Sequence, residues 1–232
     1  MTDKDAIRKL VLFDVDGTLM RGNKAHMKTF RNAFKEVLNI DLAETEPSNC
    51  HGYTDTGIVY ELMKRNNIEI KEETKQKIFN AMIKEFKTAD LSGSVLIDGV
   101  KETLTELSKH HNIIIGLVTG NLESIAYTKL KHLNVREYFV LGGFGHVSDV
   151  RSELIIDAIK QSEEKYGPIS KDNIFIIGDT RRDITAAKEA GVKVLAVATG
   201  NVPIEELKKE NPNYIFENLK DTDKVLQVIQ HG

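Results

Sequence analysis

The sequence predicts an α/β fold: a Rossmann-like parallel sheet core interrupted by an inserted α-helical unit. Three observations carry this. Apolar, branched runs fill positions 9–13, 113–118, 174–177 and 194–197, as expected of strands buried on both faces. Helical patterns separate the later runs, and such alternation means a parallel sheet wrapped by helices. Between the first two runs, residues 21–91 hold no convincing strand but three amphipathic stripes.

In order, the first run, Lys9-Leu10-Val11-Leu12-Phe13, ends on Asp14-Val15-Asp16-Gly17-Thr18. The three stripes follow: Met27, Phe30, Phe34, Val37 and Leu38; then Ile58, Val59, Leu62 and Met63; then Phe79, Met82, Ile83 and Phe86. Hinges are expected near Arg21-Gly22-Asn23 and over residues 89–94. The domains are therefore expected as 1–20 with 92–232 for the core, and 21–91 for the helical insertion. In the core, Val100, Leu104 and Leu107 mark a helix before the run at 113–118. A helix over 123–132 leads to Tyr138-Phe139-Val140-Leu141, and Leu154, Ile155, Ala158 and Ile159 mark the next helix. A helix over 182–190 ends at Gly191, a C-cap candidate.

Composition narrows the function. The 232 residues carry a net charge of -3 with both signs interspersed, so no basic surface argues for a nucleic-acid polymer or an anionic membrane. A single cysteine, Cys50, leaves no intramolecular disulfide and fits a reducing, cytoplasmic setting. No apolar run reaches membrane-spanning length, and the first residues lack an apolar signal region.

Chemistry gathers where strands end. Asp14 and Asp16, two apart, can face the same way at the C-terminal end of the first strand, where open α/β sheets bind ligands. Two carboxylates so close resist ionising unless a cation sits between them, and a hard divalent ion such as Mg²⁺ suits oxygen ligands. Asp-Gly between apolar runs is also a hairpin signal needing no cation. The second strand ends in Thr119-Gly120-Asn121 and the third in Gly178-Asp179-Thr180-Arg181-Arg182-Asp183. Each has a local explanation as a turn former, cap or first-turn charge. A shared site explains all three together.

These motifs resemble the haloacid dehalogenase superfamily of hydrolases: Asp14-Val15-Asp16-Gly17-Thr18 is similar to its first motif, Thr119 to its second, and Gly178-Asp179 through Asp183 to its fourth. The helical insertion resembles the family's cap domain. The resemblance implies Mg²⁺-dependent phosphoryl transfer through an aspartyl-phosphate. Asp14 would be the nucleophile and Asp16 the acid and base. Thr119, Gly120 and Asn121 would hold phosphoryl oxygens. Asp14, Asp16 (through its carbonyl) and Asp179 would ligate the metal, with Asp183 steadying that site. The family's third motif is a basic residue, often a lysine followed by proline, a pair this chain lacks. Arg151 stands between the second and fourth motifs and can contact phosphate bidentately. Lys129 and Lys131 are rivals, although mid-helix lysines are more often solvated.

An acid at Asp16 favours a phosphate ester over the dehalogenase and phosphonatase branches. The expected partner is a small phosphorylated metabolite, such as phosphoglycolate, a sugar phosphate or a nucleotide, met by a monomer or homodimer. A phosphomutase on the same scaffold, or a phospho-accepting signalling domain, are the competing readings. In the insertion, Ser48-Asn49-Cys50-His51-Gly52-Tyr53-Thr54-Asp55 resembles a cap segment of phosphoglycolate-phosphatase-like members. Thr54 and Asp55 read equally as an N-cap and a first-turn acid. His26 reads as a packed or exposed histidine, and Arg21 as a weak candidate for meeting a substrate carboxylate.

Overall fold

A computed structural model describes residues 8–22, 25–42 and 52–232. Asn23, Cys50 and the 48–51 part of the polar loop lie outside them. The strands are β1 (Lys9–Phe13), β2 (Met20–Arg21), β3 (Val95–Leu96), β4 (Ile113–Thr119), β5 (Gly142–Phe144), β6 (Ile174–Gly178), β7 (Lys193–Val197) and β8 (Tyr214–Phe216). The helices are α1 (Ala25–Leu38), α2 (Asp55–Arg65), α3 (Glu72–Phe86), α4 (Val100–Ser108), α5 (Glu123–His132), α6 (Arg151–Tyr166), α7 (Arg181–Ala190), α8 (Ile204–Lys209) and α9 (Thr222–His231).

Six strands form one parallel sheet in the order β5-β4-β1-β6-β7-β8. β1 lies inside it, with Phe13 opposite Leu117 on one side and Ile177 on the other. Strand side chains alternate faces. Val11, Phe13, Ile115, Leu117, Phe175 and Ile177 accordingly enter one core, and Leu10, Leu12, Ile114, Val118, Ile174 and Ile176 the opposite one. From β1 the chain runs outward through β4 and β5, then returns to build β6, β7 and β8 on the other flank. That reversal beside β1 is the topological switch point, where such sheets open a crevice.

α1, α2 and α3 bury a third core of Phe30, Phe34, Ile58, Leu62, Phe79 and Met82, closed by Leu122 and Ile125 of the α5 segment. At the two ends of residues 21–91, where hinges are expected, β2 and β3 pair antiparallel, Met20 with Leu96 and Arg21 with Val95, and join the two crossings in one ribbon. Among the described residues no helix is long and apolar enough to cross a membrane.

One strand is displaced from its expected place. The run at 138–141 is not a strand: Arg136–Tyr138 is a 3₁₀ turn and β5 begins at Gly142. The apolar run only approaches the sheet, Val140 donating its N–H to the Ile115 carbonyl. At Gly143 β5 holds a glycine because α6 lies directly on it. A Cβ at Gly143 would come within 1.9 Å of the Leu154 carbonyl oxygen.

Candidate active site

Asp14 follows β1 and is buried, its N–H donating to the Ile177 carbonyl at 2.9 Å. Gly17 then turns the chain with φ +93°, a conformation that favours glycine. The turn brings Thr18 back, and its hydroxyl donates to Asp179 Oδ1 at 2.9 Å. Asp179, directly after β6, is enclosed so closely that a Cβ on Gly200 would meet its Oδ2 at 1.7 Å. The Thr199 hydroxyl donates to the Gly17 carbonyl at 2.6 Å. Thr199 and Gly200 were missed in the sequence. The signal was there: one residue beyond β7 comes Thr199-Gly200-Asn201, the tripeptide that closes β4 as Thr119-Gly120-Asn121.

Asp183 sits in the first turn of α7 in a capping box with Thr180. Its Oδ2 accepts from the Thr180 N–H at 3.0 Å and hydroxyl at 2.6 Å. Its Oδ1 accepts from Arg151 Nε at 2.9 Å and Nη2 at 2.5 Å. The same Nη2 reaches Asp14 Oδ1 at 2.7 Å. Arg151, the first residue of α6, thus bridges the acid that follows β1 and the acid in the first turn of α7, while Lys131 takes no part in these contacts.

Asp14, Asp179 and Asp183 offer carboxylate oxygens all within 4.8 Å of one another, and all three residues are buried. Burial pushes the Asp14 carboxyl up to about 7; Arg151 opposes this and Asp183 adds to it. Burial also raises Asp179, to about 8, reinforced by the charges of Asp14 and Asp183. Arg151 is held protonated: burial works against its charge, but Asp183 and Asp14 outweigh it. Three acids thus face one guanidinium. An all-oxygen donor set with surplus negative charge fits a hard divalent cation.

Asp16 faces elsewhere. Its Oδ2 accepts from Lys129 Nζ at 2.6 Å and from Asn121 Nδ2 at 2.8 Å. Burial raises the Asp16 carboxyl, yet the Lys129 charge and these hydrogen bonds hold it below the usual aspartate range. Its carboxylate lies outside the cluster of three, so the backbone carbonyl is what it can offer a metal there. Lys129, expected to be solvated, is fully buried. The reason is its set of partners, since Nζ also donates to Asn121 Oδ1 and lies 3.3 Å from His26 Nδ1.

The Thr119 hydroxyl is buried and accepts from Asn121 Nδ2 at 2.9 Å and from the Asn121 N–H at 3.3 Å. The Gly120 carbonyl accepts the Asp55 N–H at 2.7 Å, and a Cβ on Gly120 would strike the Tyr53 carbonyl oxygen at 2.1 Å. Thr54 caps α2, accepting the Gly57 N–H at 3.0 Å. Asp55 does more than begin that helix. Its Oδ2 accepts the Leu122 N–H at 2.7 Å and lies 3.2 Å from His26 Nε2. The start of α2 is therefore bonded onto the loop after β4. Arg21 is exposed on β2. Arg151 also borders a cavity of about 780 Å³ between α2 and α7, lined by Tyr53, Tyr60, Lys64 and Arg182.

Residues 11–197 match the family described as haloacid dehalogenase-like hydrolase. The chain belongs to that family and is an enzyme of the hydrolase class. It is 31% identical over 147 residues to a phosphoglycolate phosphatase of Photorhabdus laumondii, covering 59% of this chain and 57% of that one. It is 26% identical over 216 residues to the pyrophosphatase PpaX of Oceanobacillus iheyensis, covering 92% and 94%. Among solved structures it shares the fold of a predicted phosphatase from Clostridium acetobutylicum, with a TM-score of 0.71 at 21% identity over 96% of this chain and all of that one.

Proposed function

We propose that the protein is a cytoplasmic, Mg²⁺-dependent phosphatase that hydrolyses a small phosphate monoester through an aspartyl-phosphate on Asp14. The observation that carries this is the burial of Asp14 beside Arg151, Asp179 and Asp183 at the sheet's switch point. The relatives named phosphoglycolate phosphatase and pyrophosphatase support it. Phosphoglycolate, a sugar phosphate or a nucleotide are the substrate classes in view.

The residues divide the chemistry. The Asp14 carboxylate attacks phosphorus in line with the leaving oxygen, and the P–O bond to that oxygen breaks. Asp16, ionised in the free site, takes up a proton as the anionic ester binds beside it, passes it to the departing oxygen, then takes one from the water that hydrolyses the acyl-phosphate. Arg151, the Thr119 hydroxyl and the N–H groups near Gly120 hold the phosphoryl oxygens, whereas the Asn121 amide, expected to join them, is spent on Asp16 and Thr119 and positions those two. Asp14, Asp179 and the Asp16 carbonyl would hold Mg²⁺, with Asp183 supporting them. The ion supplies charge neutralisation where an anionic nucleophile meets an anionic ester. Residues 21–91 act as a cap over a core of 1–20 and 92–232, excluding water and touching the leaving group.

Inorganic phosphate release from a panel of esters, with and without Mg²⁺, tests the reading. Metal-dependent turnover is expected. Dependence on a sugar bisphosphate activator would favour the mutase, and single-turnover phosphorylation alone the signalling domain.

A further inference from the structure

We propose that Lys129 is a positioning residue for the reaction, holding the Asp16 carboxylate by one oxygen so that the other faces the leaving group. The proposal rests on the reading of Asp16 as proton donor. Lysine is rarely buried without partners, yet Lys129 lies fully buried in α5. Its ammonium has three N–H donors and three acceptors: Asp16 Oδ2, Asn121 Oδ1 and His26 Nδ1. No donor remains for a substrate, so Lys129 acts through Asp16.

The surroundings fix that arrangement. Asn121 accepts Lys129 on Oδ1, so its amide must donate, which it does to Asp16 Oδ2 and Thr119. His26 Nε2 faces the Asp55 carboxylate and so carries the proton, leaving Nδ1 to accept from Lys129. Both donors to Asp16 converge on Oδ2, and among the described residues none reaches Oδ1. The Asp16 side chain nevertheless keeps 40% of its surface open. Oδ1, which receives neither of these donors, is the oxygen left for the leaving group. His26 belongs to α1 and Asp55 to α2, so the clamp is complete only with both helices docked on the sheet.

The test compares leaving groups. An alkyl phosphate needs a proton on its departing oxygen, whereas 4-nitrophenyl phosphate does not. Asp16→Asn serves as the reference, expected to lower kcat on the alkyl ester by roughly 10²–10⁴-fold and much less on the aryl ester. Lys129→Met should reproduce the split at about 10²-fold against under about tenfold, with KM within about threefold. Circular dichroism checks folding. Should the methionine variant not fold, Lys129→Arg, which keeps a buried cation, is expected to give the same split at smaller size. Equal losses on both esters in the Lys129 variants, beside a clear split in Asp16→Asn, would overturn the positioning role alone. The absence of a split in Asp16→Asn would overturn the proton-donor reading, and this proposal with it.

Discussion

Arg151 Nη2 lies 2.7 Å from Asp14 Oδ1, and each side chain has only 8% of its surface exposed. The same nitrogen lies 2.5 Å from Asp183 Oδ1. One buried guanidinium therefore ties the acid after β1 to the first turn of α7.

Removing that guanidinium leaves two buried carboxylates without their cation. Breaking a buried pair from one side costs about 3–5 kcal/mol, and Arg151→Met is expected to lose that much in urea unfolding near pH 7. Arg151→Lys should recover only part, because an ammonium cannot fork between two acids. A methionine variant as stable as wild type would show that the pair contributes nothing net.

Stability without metal should fall as pH rises. Asp14 and Asp179 titrate near 7 and 8 in the folded protein, against 3.8 for an ordinary aspartate. Between about pH 4 and pH 8 the native state thus binds protons that the unfolded chain has released, so raising pH favours unfolding. Below that window both states are protonated and these two groups contribute nothing further. Mg²⁺ needs the ionised acids, so it should stabilise more at pH 8 than at pH 5.5. At a hundredfold excess over Kd the gain is about 2.7 kcal/mol, on the order of 5–10 °C for a chain this size. Thermal melts in EDTA and in Mg²⁺ at both pH values check this; equal shifts would contradict it.

Docking of α2 depends on glycines with backbone against them. A Cβ on Gly145 would lie 1.7 Å from the Gly120 carbonyl oxygen, and the Gly145 carbonyl accepts the Thr56 hydroxyl at 2.6 Å. Gly145→Ala is expected to cost roughly 1–3 kcal/mol by overpacking and to raise KM for the ester. Gly93→Ala is the control, since its Cβ would meet nothing closer than the Gly22 carbonyl oxygen at 3.7 Å. Equal behaviour of the two variants would refute the docking account.

What the sequence made legible follows from burial. Asp14, Thr119 and Asp179 each end an apolar run, so the change from apolar to polar marked them. Arg151 was legible by its place before the fourth motif. Three features were not. β5 opens on two glycines, Gly143 dictated by α6 and Gly142 by Phe144 and Leu117, so the neighbouring apolar run at 138–141 drew the strand assignment. β2 and β3 are two residues each, too short for any period. Lys129 looks solvated in isolation because its partners, Asp16, Asn121 and His26, lie 113, 8 and 103 positions away. Only the fold brings them together.

The central claim is that the Asp14 carboxylate carries the phosphoryl group. Acid quench of Mg²⁺-loaded enzyme during turnover, followed by peptide mass mapping, tests it most directly. The account predicts one added phosphoryl group on the peptide holding Asp14, removable by hydroxylamine, and none in Asp14→Asn, which should release no phosphate above background. Undiminished turnover by Asp14→Asn, or a phosphoryl group on another side chain, would contradict it.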